Sequence, residues 1–153
     1  MSDGVPAGEE YDWFRRANSL LAQGNPDAAA QLLHRLREVE PDSPSVLESL
    51  GRALFDSKRY SEAVEVFEVL AELVPADDYA HYGLGLALWR VQEFSRSRDE
   101  LAMAAVMNPS RDEYRQALGQ VRATLRARAE AGHPLDGPIA PVEPPISYYP
   151  VID

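Results

Sequence analysis

Histidine is the side chain best suited to acid–base or metal chemistry near neutral pH, and this chain has three, His34, His81 and His133, which do not cluster. Carboxylates are plentiful, yet Glu62, Glu65, Glu68 and Glu72 recur at the spacing of one helix surface, the pattern of a solvated face. The absence of cysteine removes disulfides, thiolate zinc sites and cysteine nucleophiles together. Gly83-Leu84-Gly85-Leu86-Ala87-Leu88 lacks the third glycine and the preceding strand of a phosphate-cradling loop, and it reads instead as the interior of a helix. These residues assemble no catalytic constellation. The chain is therefore expected not to be an enzyme, and no cofactor and no metal is expected.

The elements that carry these residues follow from a period. Pro41, Pro75 and Pro109 stand 34 residues apart, and cutting the chain at that interval aligns the residues between them. Leu20, Leu54 and Leu88 form one column, and Leu33, Phe67 and Leu101 a second, followed at helical spacing by Leu36, Leu70 and Ala104. Ala17, Gly51 and Gly85 pair with Ala29, Ala63 and Ser97, small against small, so two helices can approach closely. Each period reads as helix, short turn, helix. In the first turn, Gly24-Asn25-Pro26 supplies a glycine for the left-handed helix end and a proline for the next helix start, signals that the turns at Lys58 and Gln92 lack. Ser43 and Asp77 are expected helix caps, and Ser110 with Glu113 an expected capping box opening a seventh helix. Ser97, inside a helix, is expected to bond the carbonyl one turn back.

These columns resemble the tetratricopeptide repeat. The first repeat supplies Trp13, Ala17, Leu20, Gly24, Ala29, Leu33, Leu36 and Pro41; the second Leu47, Leu50, Gly51, Leu54, Tyr60, Ala63, Phe67, Leu70 and Pro75; the third Leu84, Gly85, Leu88, Phe94, Leu101, Ala104 and Pro109. Arg16 replaces the leucine of the other repeats on a terminal helix, and His81 occupies the column of Trp13 and Leu47. The resemblance implies an all-α fold of three helix-turn-helix repeats in a right-handed superhelix plus a C-terminal capping helix, with protein binding as its task. The expected organisation is a disordered N-terminus over 1–9, repeats at 10–43, 44–77 and 78–111, a capping helix at 112–131 and a Pro-rich apolar tail at 132–153. Tyr114, Leu118, Val121 and Leu125 give the capping helix its apolar face, while Arg111, Arg115, Arg122 and Arg126 form a basic stripe read as solvated.

In this family the first helices of successive repeats line a concave surface, which the resemblance implies is where ligands bind. Residues rotated one step from the core-facing column give the candidate partner-binding groove: Phe14, Asn18 and Leu21, then Glu48, Arg52 and Phe55, then Tyr82, Leu86 and Trp89, with Tyr11, Ser45 and Tyr79 one turn earlier. An exposed aromatic cluster of this kind marks an interaction surface. One subset of the family holds acidic peptide ends in a clamp of lysine, asparagine and arginine. Only Asn18 matches it here, Phe14, Ser49 and Gly83 standing at the other positions, so that clamp is not expected.

Charge narrows the partners. With 25 acidic and 15 basic residues the chain carries a net charge of -10, which repels a phosphate backbone and argues against nucleic acid. No secretory signal and no bilayer-spanning stretch is visible, so the reading is cytoplasmic with no membrane partner. Fourteen of the 15 basic residues are Arg, a bias that a GC-rich bacterial genome would set. The leading expectation is an adaptor or scaffold binding a peptide of a protein partner. The alternatives are a dedicated chaperone resembling the small acidic chaperones of type III secretion, or a self-assembling or regulatory subunit, hence a homo-oligomer. Finally, the tail at 132–153 holds six of the 12 prolines and no basic residue, yet it is rich in Leu, Ile, Val and Tyr. Docking of Tyr148 to Asp153 on Phe55, Tyr82 and Trp89, in cis or into a second copy, with the terminal carboxylate near Arg52 or Arg90, is therefore a further expectation.

Overall fold

The computed structural model describes residues 9–140, and among these seven helices and no strand are found. They are α1 (Glu10–Ala22), α2 (Pro26–Val39), α3 (Pro44–Asp56), α4 (Tyr60–Leu73), α5 (Asp78–Arg90), α6 (Phe94–Met107) and α7 (Asp112–Glu130). Each helix packs on its sequence neighbours. In addition α1 touches α3, α3 touches α5 and α5 touches α7, whereas the even-numbered helices do not meet one another. A stack whose odd helices crowd together while its even helices spread apart bends toward the odd row, so α1, α3, α5 and α7 line the inside of the curve.

The columns fill the core. Ala17, Ala29, Leu33, Leu36, Leu47, Leu50, Leu54, Ala63, Leu70, Leu88, Leu101 and Ala104 are fully buried. Leu20, by contrast, is only half-buried. The small residues matter through the large column rather than through each other. A methyl group at Gly51 would stand 2.6 Å from the Phe67 ring, one at Gly83 would meet the same ring at 2.6 Å, and one at Gly85 would stand 2.6 Å from Leu101 Cγ. Phe67 of α4 is thus inserted between a glycine of α3 and a glycine of α5, joining the second repeat to the third.

Helix ends test the local signals. The Ser43 hydroxyl accepts the Val46 amide at 3.3 Å, and Asp77 Oδ1 accepts that of Ala80 at 3.2 Å, as their cap positions predict. Pro26 and Pro44 occupy first helical positions. Gly24 has the left-handed φ of 78°, and Lys58 at 63° and Gln92 at 65° take the same conformation one and two repeats later. The Ser110–Glu113 capping box does not form. Ser110 Oγ donates to Asn108 Oδ1 at 2.7 Å, Glu113 pairs with Arg111 at 2.9 Å, and α7 begins one residue later with Arg111 at its cap position. Ser97 also departs from expectation: its hydroxyl crosses the helix pair to the Gly85 carbonyl at 2.7 Å, an acceptor reachable because that contact is so close.

The expected tail divides. Residues 1–8 and 141–153 lie outside the described residues, and so does the expected docking of Tyr148 to Asp153. Residues 132–137, however, fold back as a strap across the end of the third repeat. Gly132, at φ 72°, ends α7. Arg128 is buried with its guanidinium 4.7 Å from the Phe94 ring centre, and Nη1 donates to the carbonyls of Pro134 at 3.0 Å and Gly137 at 2.7 Å. The Gly137 amide donates to the Gln92 carbonyl at 2.9 Å, and Asp136 Oδ1 accepts the Ser95 amide at 2.8 Å, supplying α6 with the cap its own Glu93 does not provide.

Candidate functional site

Six of the candidate groove residues come together. Arg52, Phe55, Tyr79, Tyr82 and Leu86 line a cavity of about 210 Å³ between α3 and α5, joined by Asp56, Phe67 and Gly83. Phe55, Leu86 and Trp89 then continue, with Arg90, Leu101, Ala117, Gln120 and Val121, into a second cavity of about 230 Å³ that reaches α7. Phe55 and Leu86 belong to both, so the two adjoin along the inner face as a trough with these side chains between them. Each lies below the roughly 300–1,000 Å³ of small-molecule pockets and is open to solvent on the curved face. Spaces of this size along a trough accept side chains of an extended segment.

The aromatic walls hold one another in place. Phe55 meets Tyr60 edge-on at 5.1 Å, Tyr79 lies 6.4 Å from Phe67 and 6.3 Å from Tyr82, and Tyr82 lies 4.6 Å from Tyr114 of the capping helix. Trp89 meets Phe94 edge-on at 5.1 Å, so it is a wall of the trough as well as a member of the third repeat's core. Burial pushes the Tyr79 hydroxyl up to about 12, and the phenol stays a neutral hydrogen-bonding group. Arg90 sits over both Phe55 at 5.8 Å and Tyr60 at 5.4 Å, and Arg52, which lines the first cavity, is exposed. Two cations thus rim an apolar floor on a strongly acidic chain, with Asp56 the one acid among the described residues to line either cavity.

The remaining candidates lie elsewhere. Tyr11, 70% exposed, and Phe14 line a separate recess of about 310 Å³ with Glu10, Glu40, Ser43, Ser45 and Val46. Asn18 is committed within the protein: Nδ2 donates to the Phe14 carbonyl at 3.1 Å and Oδ1 accepts the Ser49 hydroxyl at 2.9 Å, which ties the first repeat to the second. Leu21 packs half-buried against the core. Glu48 is half-buried between these regions, its carboxyl pushed up by burial and by Asp77 and pulled down by Arg52.

Rotation from the core columns leaves several contributors out of the groove. Asp56 and Arg90, the last residues of α3 and α5, and the capping-helix residues Ala117, Gln120 and Val121 line the trough, yet the columns stop at Phe55 and Trp89 and do not extend to α7. Since α7 continues the odd row, carrying the 34-residue register one step beyond Leu86 finds Gln120. A larger depression of about 790 Å³, with Leu20 and Leu32 in its floor and Arg16, Arg35 and Arg59 on its rim, has no counterpart among the sequence candidates; Arg59 there is paired with Glu62 at 2.9 Å. In the basic stripe, Arg111 and Arg115 are taken up by Glu113 and Asp112, while Arg122 and Arg126 stay exposed. Among the described residues the histidines remain apart, and no group of three His, Asp or Glu could hold a metal ion.

A curved stack of paired helices with an aromatic inner face defines a helical-repeat solenoid. The family model described as tetratricopeptide repeat matches residues 14–78, and the same 34-residue register continues through the third helix pair. A similar curated protein is the Protein CTR9 homolog of Arabidopsis thaliana, 24% identical over 112 residues that make up 72% of this chain and 10% of the relative, so the chain spans about a tenth of that protein's length. Among solved structures, the first repeat domain of Spaghetti (RPAP3) bound to the HSP90 peptide SRMEEVD superposes with a TM-score of 0.74 at 17% identity, over 81% of this chain and 98% of that one. The Sgt2 repeat domain of Aspergillus fumigatus superposes with a TM-score of 0.72 at 18% identity over 97% of each. At these identities the likeness to the solved structures is one of fold.

Proposed function

We propose that this chain is a non-catalytic protein-interaction module, an adaptor or scaffold that takes an extended peptide segment of a partner protein along its inner face. The observation that carries this reading is the pair of adjoining cavities along α3, α5 and α7, lined by Phe55, Tyr79, Tyr82, Leu86 and Trp89 together with Arg52 and Arg90. Its shape favours alternating apolar side chains, and its rim favours an acidic peptide. Seating of a peptide on the similar Spaghetti fold supports the general mode. The grip differs, because the one clamp-like residue, Asn18, is already bonded to Ser49 and Phe14.

The test is a selection of peptides from a display library, followed by titration in solution. Trp89→Ala is expected to weaken the selected peptides by about 2 kcal/mol or more, as removal of a buried aromatic anchor does. Arg52→Glu, at an exposed position that should not disturb folding, is expected to weaken acidic peptides in a salt-dependent way. Glu65→Ala on the outer surface should leave binding unchanged. Equal affinities for all four chains would refute the trough as the binding site.

A further inference from the structure

The strap anchors the chain near the C-terminal end of α5. Gly137 is bonded to Gln92, which lies in the turn after α5, three residues beyond Trp89 and two beyond Arg90. Arg128, Asp136 and Gly137 therefore hold the chain close in sequence to the end of α5 that Trp89 and Arg90 contribute to the second cavity. Beyond Ala140 the sequence continues as Pro-Val-Glu-Pro-Pro-Ile-Ser-Tyr-Tyr-Pro-Val-Ile-Asp. This segment has the chemistry the trough selects: aliphatic and aromatic side chains between prolines, two carboxylates at Glu143 and Asp153, and no basic residue.

We propose that Tyr148–Asp153 occupy the trough of their own molecule, with apolar side chains in the two cavities and carboxylates toward Arg52 and Arg90, so that a foreign peptide binds by displacing them. The proposal rests on the peptide-groove reading above and adds a resident competitor to it. Reach is sufficient. Thirteen residues in a polyproline-like path extend to ~40 Å, whereas the neighbouring helix rows of the trough are about 10 Å apart. Proline also lowers the conformational entropy lost on docking. Occupancy in cis prevails over occupancy by a second copy because a short tether sets an effective concentration on the order of millimolar. A partner's apparent affinity then falls by the fraction of molecules whose trough is free.

The lack of cysteine makes a clean experiment possible. In the full chain, Trp13→Phe leaves Trp89 as the sole indole, and Pro150→Cys accepts a single nitroxide quencher. The expected result is strong quenching of Trp89 that does not change on dilution and is lost when Tyr148→Ser and Tyr149→Ser are added. Circular dichroism checks that every variant keeps its helices. Trp89 emission that is the same with the nitroxide intact or reduced would overturn the proposal, and quenching that fades on dilution would overturn it in favour of exchange between copies. In a second arm, a labelled peptide of residues 141–153 is titrated against the wild-type chain and the double serine variant. Binding to the serine variant about tenfold tighter than to wild type supports displacement. Failure of that peptide to bind the serine variant, while library-selected peptides still require Trp89, overturns the resident tail and leaves the groove reading standing. If library-selected peptides bind neither chain through Trp89, both fall.

Discussion

At the scale of single residues, His81 shows how a position read as a packing column carries charge instead. Its Nδ1 lies 2.7 Å from Glu100 Oε2 and its Nε2 2.9 Å from the Pro75 carbonyl. Both neighbours are acceptors, so only the imidazolium, with a proton on each nitrogen, satisfies them together. Burial lowers the imidazole's pKa, but the bonds to Glu100 and Pro75 outweigh it, with Glu100 and Asp77 adding attraction, and the net position is above the ordinary 6.5. A raised folded value means the native state holds the proton more tightly than the unfolded chain. The stabilisation is complete below about 6.5 and is lost as pH rises through the raised folded value. Urea melts of the native chain and His81→Gln should therefore differ most near pH ~5.5 and converge in mildly alkaline solution. A gap that stays constant across that range would show that His81 acts through packing alone.

At the scale of elements, the 34-residue register made the helices and most of the core legible, because a buried column repeats its residue type wherever the geometry repeats. Turn chemistry was less legible. Gly24 announces a left-handed residue, whereas Lys58 and Gln92 take the same conformation without glycine, since packing of the flanking helices overrides local preference. Reading down the column from Gly24 would have found both. The capping box failed for the converse reason: Ser110 and Glu113 have the right spacing, but nearby Asn108 and Arg111 compete for them. A left-handed residue with a Cβ costs about 1–2 kcal/mol, offset in part by the entropy a glycine loses on folding. Lys58→Gly and Gln92→Gly should each stabilise the chain by up to about 1 kcal/mol, read as a higher urea midpoint at unchanged slope. A fall in midpoint would mean that the lysine and glutamine side chains contribute packing that their exposure does not suggest.

At the scale of the whole molecule, a solenoid is held by neighbour-to-neighbour contacts, so its ends need closing. α7 closes the third repeat through Tyr114, whose hydroxyl donates to Asp78 Oδ2 at 2.9 Å beside Asn108 at 3.1 Å. Burial raises the Asp78 carboxyl, and these two hydrogen bonds, a backbone hydrogen bond and the nearby Arg111 together more than reverse it, holding it below its ordinary 3.8. The strap then closes the far edge. It was invisible in the sequence because nothing marks Arg128 among the arginines and 132–137 read as the start of a tail, and only their meeting at Gln92, Phe94 and Ser95 gives them a role. Asp136→Ala removes the cap of α6 and should cost about 0.5–2 kcal/mol, the range for loss of a helix cap. Because coupling decays from repeat to repeat, amide hydrogen exchange should quicken in α6 and at the end of α7, while α1 and α2 keep native protection. Uniform quickening along the chain would instead show that the three repeats unfold as one unit, with the strap stabilising the whole stack rather than its last repeat.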